Sequence, residues 1–285
     1  MRCDPRMSVL VVLTALAVLA VAAPTPAAQA ADLPTVDSLL AQTEAKVKDV
    51  RDLVADVKMT ASVPGVEKPV TVVGTLKQLP AQGMFRLEGN TRKAAEGDPE
   101  PVLRSIKIVL KGNLMYQEFA AADKETSSVI KMDFAEIAKI QRDYADVPDF
   151  KINAPPNPDF VHFIKDRKAR GYTMNVTSVK DGLATVEATP PGDNPREIRE
   201  IAVIDLKDGL PRTLQAFTNG QQVEIMELSN LRTNTGLKET EFDYVPPPDF
   251  KVMDVANFFR GMAEAARKRA EERKQEEADK EKGQP

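Results

Sequence analysis

From Leu53 to Asn230 the chain repeats short segments in which apolar and polar residues alternate with period two. This alternation limits the fold more than any other feature. In the first segment Leu53, Ala55, Val57, Met59 and Ala61 share one face, while Asp56, Lys58 and Thr60 take the other. A strand with one side buried has that pattern. Similar segments follow at 70–79, 83–89, 103–112, 113–120, 127–133, 172–179, 183–189, 196–211, 212–218 and 221–230. The segment ETEFDYV, from Glu239 to Val245, reads as a last strand stopped by Pro246, Pro247 and Pro248, which cannot donate to a ladder.

Pro64-Gly65, Gly83, Gly112-Asn113, Asp208-Gly209 and Asn219-Gly220 mark short turns between these segments. Short turns join antiparallel neighbours, because a parallel pair needs a crossover of a dozen residues or more. The expected fold is therefore mainly β with α: about eleven antiparallel strands in one sheet. So large a one-sided sheet has to curl into an incomplete barrel around helices and a cavity.

Three helical stretches supply that cover. Val36, Leu39, Leu40, Thr43 and Val47 form the apolar stripe of an opening helix capped by Thr35. Phe134, Ile137, Ile140 and Tyr144 have helical spacing behind a cap at Asp133, and Phe160, Phe163 and Ile164 mark a shorter helix after the rigid NAPPNPD. These last two are expected to form a lid. From Lys251 the chain is helical again, with a stripe of Val255, Phe258, Phe259 and Met262 leading into a tail of balanced charge.

Residues 1–30 read as a secretory signal peptide, with Arg2 and Arg6 before the apolar run Met7 to Ala23 and a cleavage pattern at Ala28-Gln29-Ala30. The chain then divides into 31–250, the half-barrel domain, and 251–285, a charged helical or disordered tail. The expected location is the periplasm. Cys3 is the only cysteine, so residues 31–285 contain no disulfide, thiolate zinc site or cysteine nucleophile. The net charge of −4 gives no footprint for nucleic acid or anionic lipid.

A catalytic apparatus is not legible. His162 is the only histidine and sits between Val161 and Phe163, a setting for a packed or solvent-facing side chain rather than a catalytic one. No phosphate-binding glycine motif occurs, and Asp143, Asp146 and Asp149 lack the spacing of a calcium loop. No cofactor or metal is expected, and the chain does not read as an enzyme. Methionines at 59, 84, 115, 132, 174, 226 and 262 instead supply adaptable apolar lining.

Three stretches resemble the superfamily of LolA, the periplasmic carrier of outer-membrane lipoproteins. The first is the opening helix with VRDLVADVKMTA. The second is GTLKQLPAQGMFRLEG, with Gly74, Leu76, Pro80 and Phe85 at the family's hairpin positions. The third runs from IDLKDGLP to ETEFDYVPPPDFKVMD and includes an Asn at position 234. The resemblance implies a monomeric carrier of lipoprotein acyl chains or another amphiphilic lipid, moving cargo between membrane-bound donor and acceptor proteins. A lipid- or lipoprotein-sensing module acting through a protein partner is the alternative, since a similar half-barrel occurs in a regulator of envelope stress.

The cavity lining is then Leu53, Val57, Met59, Leu76, Phe85, Leu87 and Tyr116, with Phe134, Ile137, Ile140 and Phe160 on the lid. The family holds its empty cavity shut with an arginine just before the hairpin proline, a position taken here by Leu79. Closure is therefore expected to rest on apolar contact, with Arg86 pointing to solvent. The chain also departs from the family in lacking tryptophan and in its long charged extension.

Overall fold

The computed structural model describes residues 33–62, 69–91, 103–121, 125, 127–147, 159–191 and 199–282. The signal segment, Cys3, the Pro64-Gly65 turn and Asp149 lie outside the described residues.

Thr35 caps the opening helix α1 (Val36–Val47) by accepting from the Ser38 amide, and Leu39, Thr43 and Val47 are its buried face. Six strands follow in meander order: β1 (Leu53–Ala61), β2 (Val70–Leu79), β3 (Met84–Thr91), β4 (Leu103–Lys111), β5 (Leu114–Ala121) and β6 (Ser128–Asp133). Helix α2 (Phe134–Asp143) starts on the predicted cap, Asp133, which accepts from the amides of Ala135 and Glu136. Helix α3 (Phe163–Ala169) begins later than the sequence suggests, since Phe160 lies in a turn before it. Asp159 explains the delay: its Oδ1 accepts from the amides of Val161 and His162 and fixes the turn.

Five more antiparallel strands complete the second half: β7 (Thr173–Lys180), β8 (Leu183–Thr189), β9 (Arg199–Asp205), β10 (Pro211–Thr218) and β11 (Gln221–Thr233). Asn219 and Gly220 both adopt positive φ between β10 and β11, the geometry a two-residue hairpin requires. Strand β1 pairs with both β2 and β11, so the two halves form one sheet. At the Gly74–Gly89 pair a Cβ on Gly74 would lie 1.8 Å from the Glu88 carbonyl oxygen. Only glycine permits that approach, which is typical of a bend in a curled sheet.

ETEFDYV is not a strand. Glu239–Phe242 forms a 3-10 turn, and the ladder role passes to β12 (Lys251–Asp254), which runs parallel to β6 at the sheet edge. The alternation of Thr240, Phe242 and Tyr244 is real but serves another purpose. Beyond β11, residues 234–250 cross the outer face of the sheet as a strap. The crossing is anchored strand by strand, with Asp52 at β1, Lys77 at β2, Arg86 at β3, Lys111 at β4 and Tyr116 at β5. The three prolines follow that crossing and precede β12.

The sheet order is β12-β6-β5-β4-β3-β2-β1-β11-β10-β9-β8-β7, twelve strands left open between β12 and β7. The expected incomplete barrel is therefore present, with one parallel pair. A long helix α4 (Val255–Lys282) follows β12, and both belong to the same compact unit as the sheet. The inward side of α4 is Ala256, Phe259 and Ala263 rather than the full stripe read from the sequence, for Phe258 and Met262 are exposed. From Glu271 to Gln275 the helix is solvated.

Asp52 begins the strap. It is 3% exposed and accepts from the Thr235 amide and hydroxyl and from the amides of Gly236 and Leu237. Burial pushes its pKa up, but these hydrogen bonds outweigh it and hold the carboxyl below its ordinary value of 3.8. A depressed carboxyl stabilises the fold above its unfolded pKa, and that contribution is lost as pH falls through the folded value. Asp52→Asn should therefore lower the neutral-pH Tm, by the equivalent of about 1.5–3 kcal/mol. The deficit should shrink below pH 3.8 in thermal melts across an acid series; a deficit constant with pH would contradict the assignment.

Candidate functional site

Side chains on the concave face follow from register. Leu53, Ala55, Val57 and Met59 of β1 lie beside Gln78, Leu76, Gly74 and Val72 of β2. Phe85 and Leu87 of β3 continue the rows toward Leu110 and Ile108 of β4. All of the predicted lining residues except Tyr116 belong to this one core. Tyr116 lies on the opposite face, in the row of Val109 and Arg86, and packs tilted against Tyr244 of the strap at 5.1 Å between ring centroids. Its strand is apolar on both faces, and Met115 takes the inner place.

Two groups of elements roof this face. Over β1–β6 lie α2, through Ile137 and Ile140, the turn residues Phe160 and Val161, and Ala256 and Ala263 of α4. Over β8 and β9 lie Leu39 of α1 with Phe163 and Ile164 of α3. All four predicted lid residues join the inner core, Phe134 as a partly buried member. Phe160 stacks on Phe85 of the sheet at 5.4 Å between ring centroids.

Gln78, one residue before the position compared with the family arginine, is a polar tie between the Asp159–Phe160 turn and the sheet. It is 2% exposed; its Nε2 donates to Asp159 Oδ1 at 3.2 Å and its Oε1 accepts from the Phe160 amide at 3.3 Å. Leu79 faces the other way, where it is buried with Met84 and Phe242 of the strap. The expectation of purely apolar closure is therefore corrected. Arg86 does point outward, yet the strap covers it: its guanidinium donates to the carbonyls of Glu241 and Asp243 and pairs with Glu88.

His162 ties the segment before α3 to α1. Its Nδ1 lies 2.9 Å from Glu44 Oε1, and Lys165 donates to Glu44 Oε2 at 3.2 Å. Burial raises the Glu44 pKa, but His162 and Lys165 together leave it lowered, so the carboxylate binds the lid segment to α1. At the other end α4 braces α2: Arg260 pairs with Glu136 at 2.5 Å, and Arg267 donates to the Asp143 carbonyl and to Asp146 while lying over the Tyr144 ring. Two charges of the C-terminal helix, Arg260 and Arg267, thus bind it to α2 and the turn that follows.

Between the two roofed halves lies a cavity of about 160 Å³, walled by Phe160, Phe163, Leu214 and Met226 and carrying Arg167, Glu200 and Glu224. Sites that enclose a drug-sized ligand measure ≈ 300–1,000 Å³, so this cavity is smaller than such a site. Arg167 is 7% exposed and pairs with Glu200 through Nε at 2.5 Å and Nη2 at 3.1 Å. Burial alone would depress the guanidinium pKa, but Glu200 and Asp166 raise it. Glu200 and Glu224 were not singled out in the sequence. Glu224 alternates with Val223 and Ile225, a pattern that reads as solvent-facing, and only the pairing of β9, β10 and β11 brings the two into one row.

No protein-family model matches the sequence, and no curated protein matches it. Solved structures do. An uncharacterized conserved protein from Thermus thermophilus is 11% identical with a TM-score of 0.42, covering 76% of this chain and 98% of that one. A LolA superfamily protein from Nitrosomonas europaea is 10% identical with a TM-score of 0.34, covering 74% and 99%. MucB in its complex with MucA, from Pseudomonas aeruginosa, is 12% identical with a TM-score of 0.36, covering 74% of this chain and 61% of that one.

Proposed function

We propose that this chain is a periplasmic carrier that holds the acyl chains of a lipoprotein or another amphiphilic lipid in the half-barrel, for transfer between membranes. One observation carries the reading: a continuous apolar face, too large to leave bare in water, lies beneath a roof held by few polar ties. A patch of that size left open exceeds what soluble monomers tolerate. The roof joins the sheet at the Phe85–Phe160 stack, the Gln78 bonds and the Arg167–Glu200 pair. Displacing Phe160 and α2 would uncover Leu53, Val57, Met59, Leu76, Phe85 and Leu87 as an acyl-binding wall. Among the described residues no helix is long and apolar enough to cross a membrane.

Mass spectrometry of the protein purified from its own compartment tests the reading. Co-purifying phospholipid or acylated lipoprotein supports it. A stoichiometric protein partner without lipid favours a sensing module instead.

A further inference from the structure

One row of residues on the concave face differs from its neighbours. Reading across the strands, Ala188 of β8, Glu200 of β9, Ala216 of β10, Glu224 of β11 and Ala61 of β1 stand opposite one another on the same side. The adjacent row, Val186, Ala202, Leu214, Met226 and Met59, is apolar throughout. Small alanines flank both carboxylates, and Glu200, Ala216 and Glu224 line the cavity described above.

The two carboxylates are not equivalent. Glu200 is satisfied by both arms of the Arg167 guanidinium. The Glu224 carboxylate has no hydrogen-bond or ion-pair partner among the described residues, although it is half-buried and sits across a single alanine from Glu200. Burial, and then the charge of Glu200, push its pKa up. An ionised carboxylate withdrawn from water is unfavourable unless a cation or a proton completes it. Of the three carboxylates that line the cavity, Glu200 is met by Arg167 and Asp159 by Gln78 and the amides of Val161 and His162, which leaves Glu224 to be completed. Phe160 and Phe163 supply apolar wall beside the carboxylate.

We infer that this cavity is a headgroup site for a primary ammonium group borne on an apolar chain, with Glu224 as its counter-ion. The inference rests on the carrier reading and narrows it to amine-bearing amphiphiles. The ammonium donates to the Glu224 carboxylate. The cavity is too small for an acyl chain, so the chain enters the interior beneath Phe160 once the lid moves.

The test compares decylammonium, decanol and decyl sulfate below their micelle-forming concentrations, by calorimetric titration of the whole protein and of Glu224→Gln. Glutamine fills the same space without the charge, and unchanged or higher thermal stability will show that the variant folds. Decylammonium should bind about 10- to 100-fold more tightly than the other two, the range of a charge-assisted hydrogen bond. Glu224→Gln should remove that preference and leave decanol binding intact. Equal binding of all three probes, or a preference that survives the substitution, overturns the headgroup site while leaving the carrier reading in place. Propylammonium separates the reverse case. If no long-chain probe binds but propylammonium does, in a Glu224-dependent way, the carrier reading fails and the cation site stands; binding of neither overturns both.

Discussion

Phe242→Ala is expected to cost about 3–5 kcal/mol, the range for truncating a buried phenylalanine. Phe242 is fully buried against Leu79 and Met84 on the outer face and is the largest side chain that the strap inserts. At 2–4 °C per kcal/mol for a domain of this class, the Tm should fall by roughly 6–20 °C. Limited proteolysis should at the same time cut between residues 234 and 250. Val245→Ala provides the control, since Val245 is 84% exposed on the same segment. A fall in Tm no greater than that of the control would show that the strap does not hold the outer face.

Gln78→Leu is expected to open the lid while keeping the sheet. Leucine fills much of the same space with an apolar side chain but removes both bonds to the lid turn. The Phe160 amide then loses its acceptor, and Asp159 loses a donor. Leaving a buried donor unsatisfied costs about 1–3 kcal/mol, so the open fraction should rise about 5- to 150-fold. An environment-sensitive apolar dye should bind the empty variant more strongly and release more quickly. Leu79→Ala should reduce stability without changing dye binding, because Leu79 faces the strap. Equal dye binding by Gln78→Leu and the unaltered protein would remove Gln78 from the closure mechanism.

Period-two alternation made most of the sheet legible, because a half-buried strand writes its inner face directly into the sequence. Leu53, Val57, Phe85 and Leu87 could be placed that way. Tyr116 could not: Met115 and Tyr116 are both apolar, and only pairing with Leu110 decides which turns inward. Latch and strap failed for a related reason. Gln78 and Leu79 point to opposite faces, so an alignment displaced by one residue exchanges the lid contact for the strap contact. The strap's own partners lie far away in sequence: Asp52 meets Thr235 across 183 residues, and Arg86 meets Glu241 across 155. No local propensity carries such information, and a polar-apolar alternation lying across a sheet reads the same as one lying within it.

The strap also fixes an order of events during biosynthesis. A chain emerges N-terminus first, and β1 to β6 are complete about a hundred residues before Phe242 appears. Until then Leu79 and Met84 remain bare on the outer face, Arg86 lacks the carbonyls of Glu241 and Asp243, and α2 lacks the braces of Arg260 and Arg267. The nascent sheet therefore cannot lock prematurely. Both its outer seal and its lid support arrive on the same late stretch of polypeptide, so truncations between the end of β11 and Phe242 should trap one loosened intermediate that lacks both.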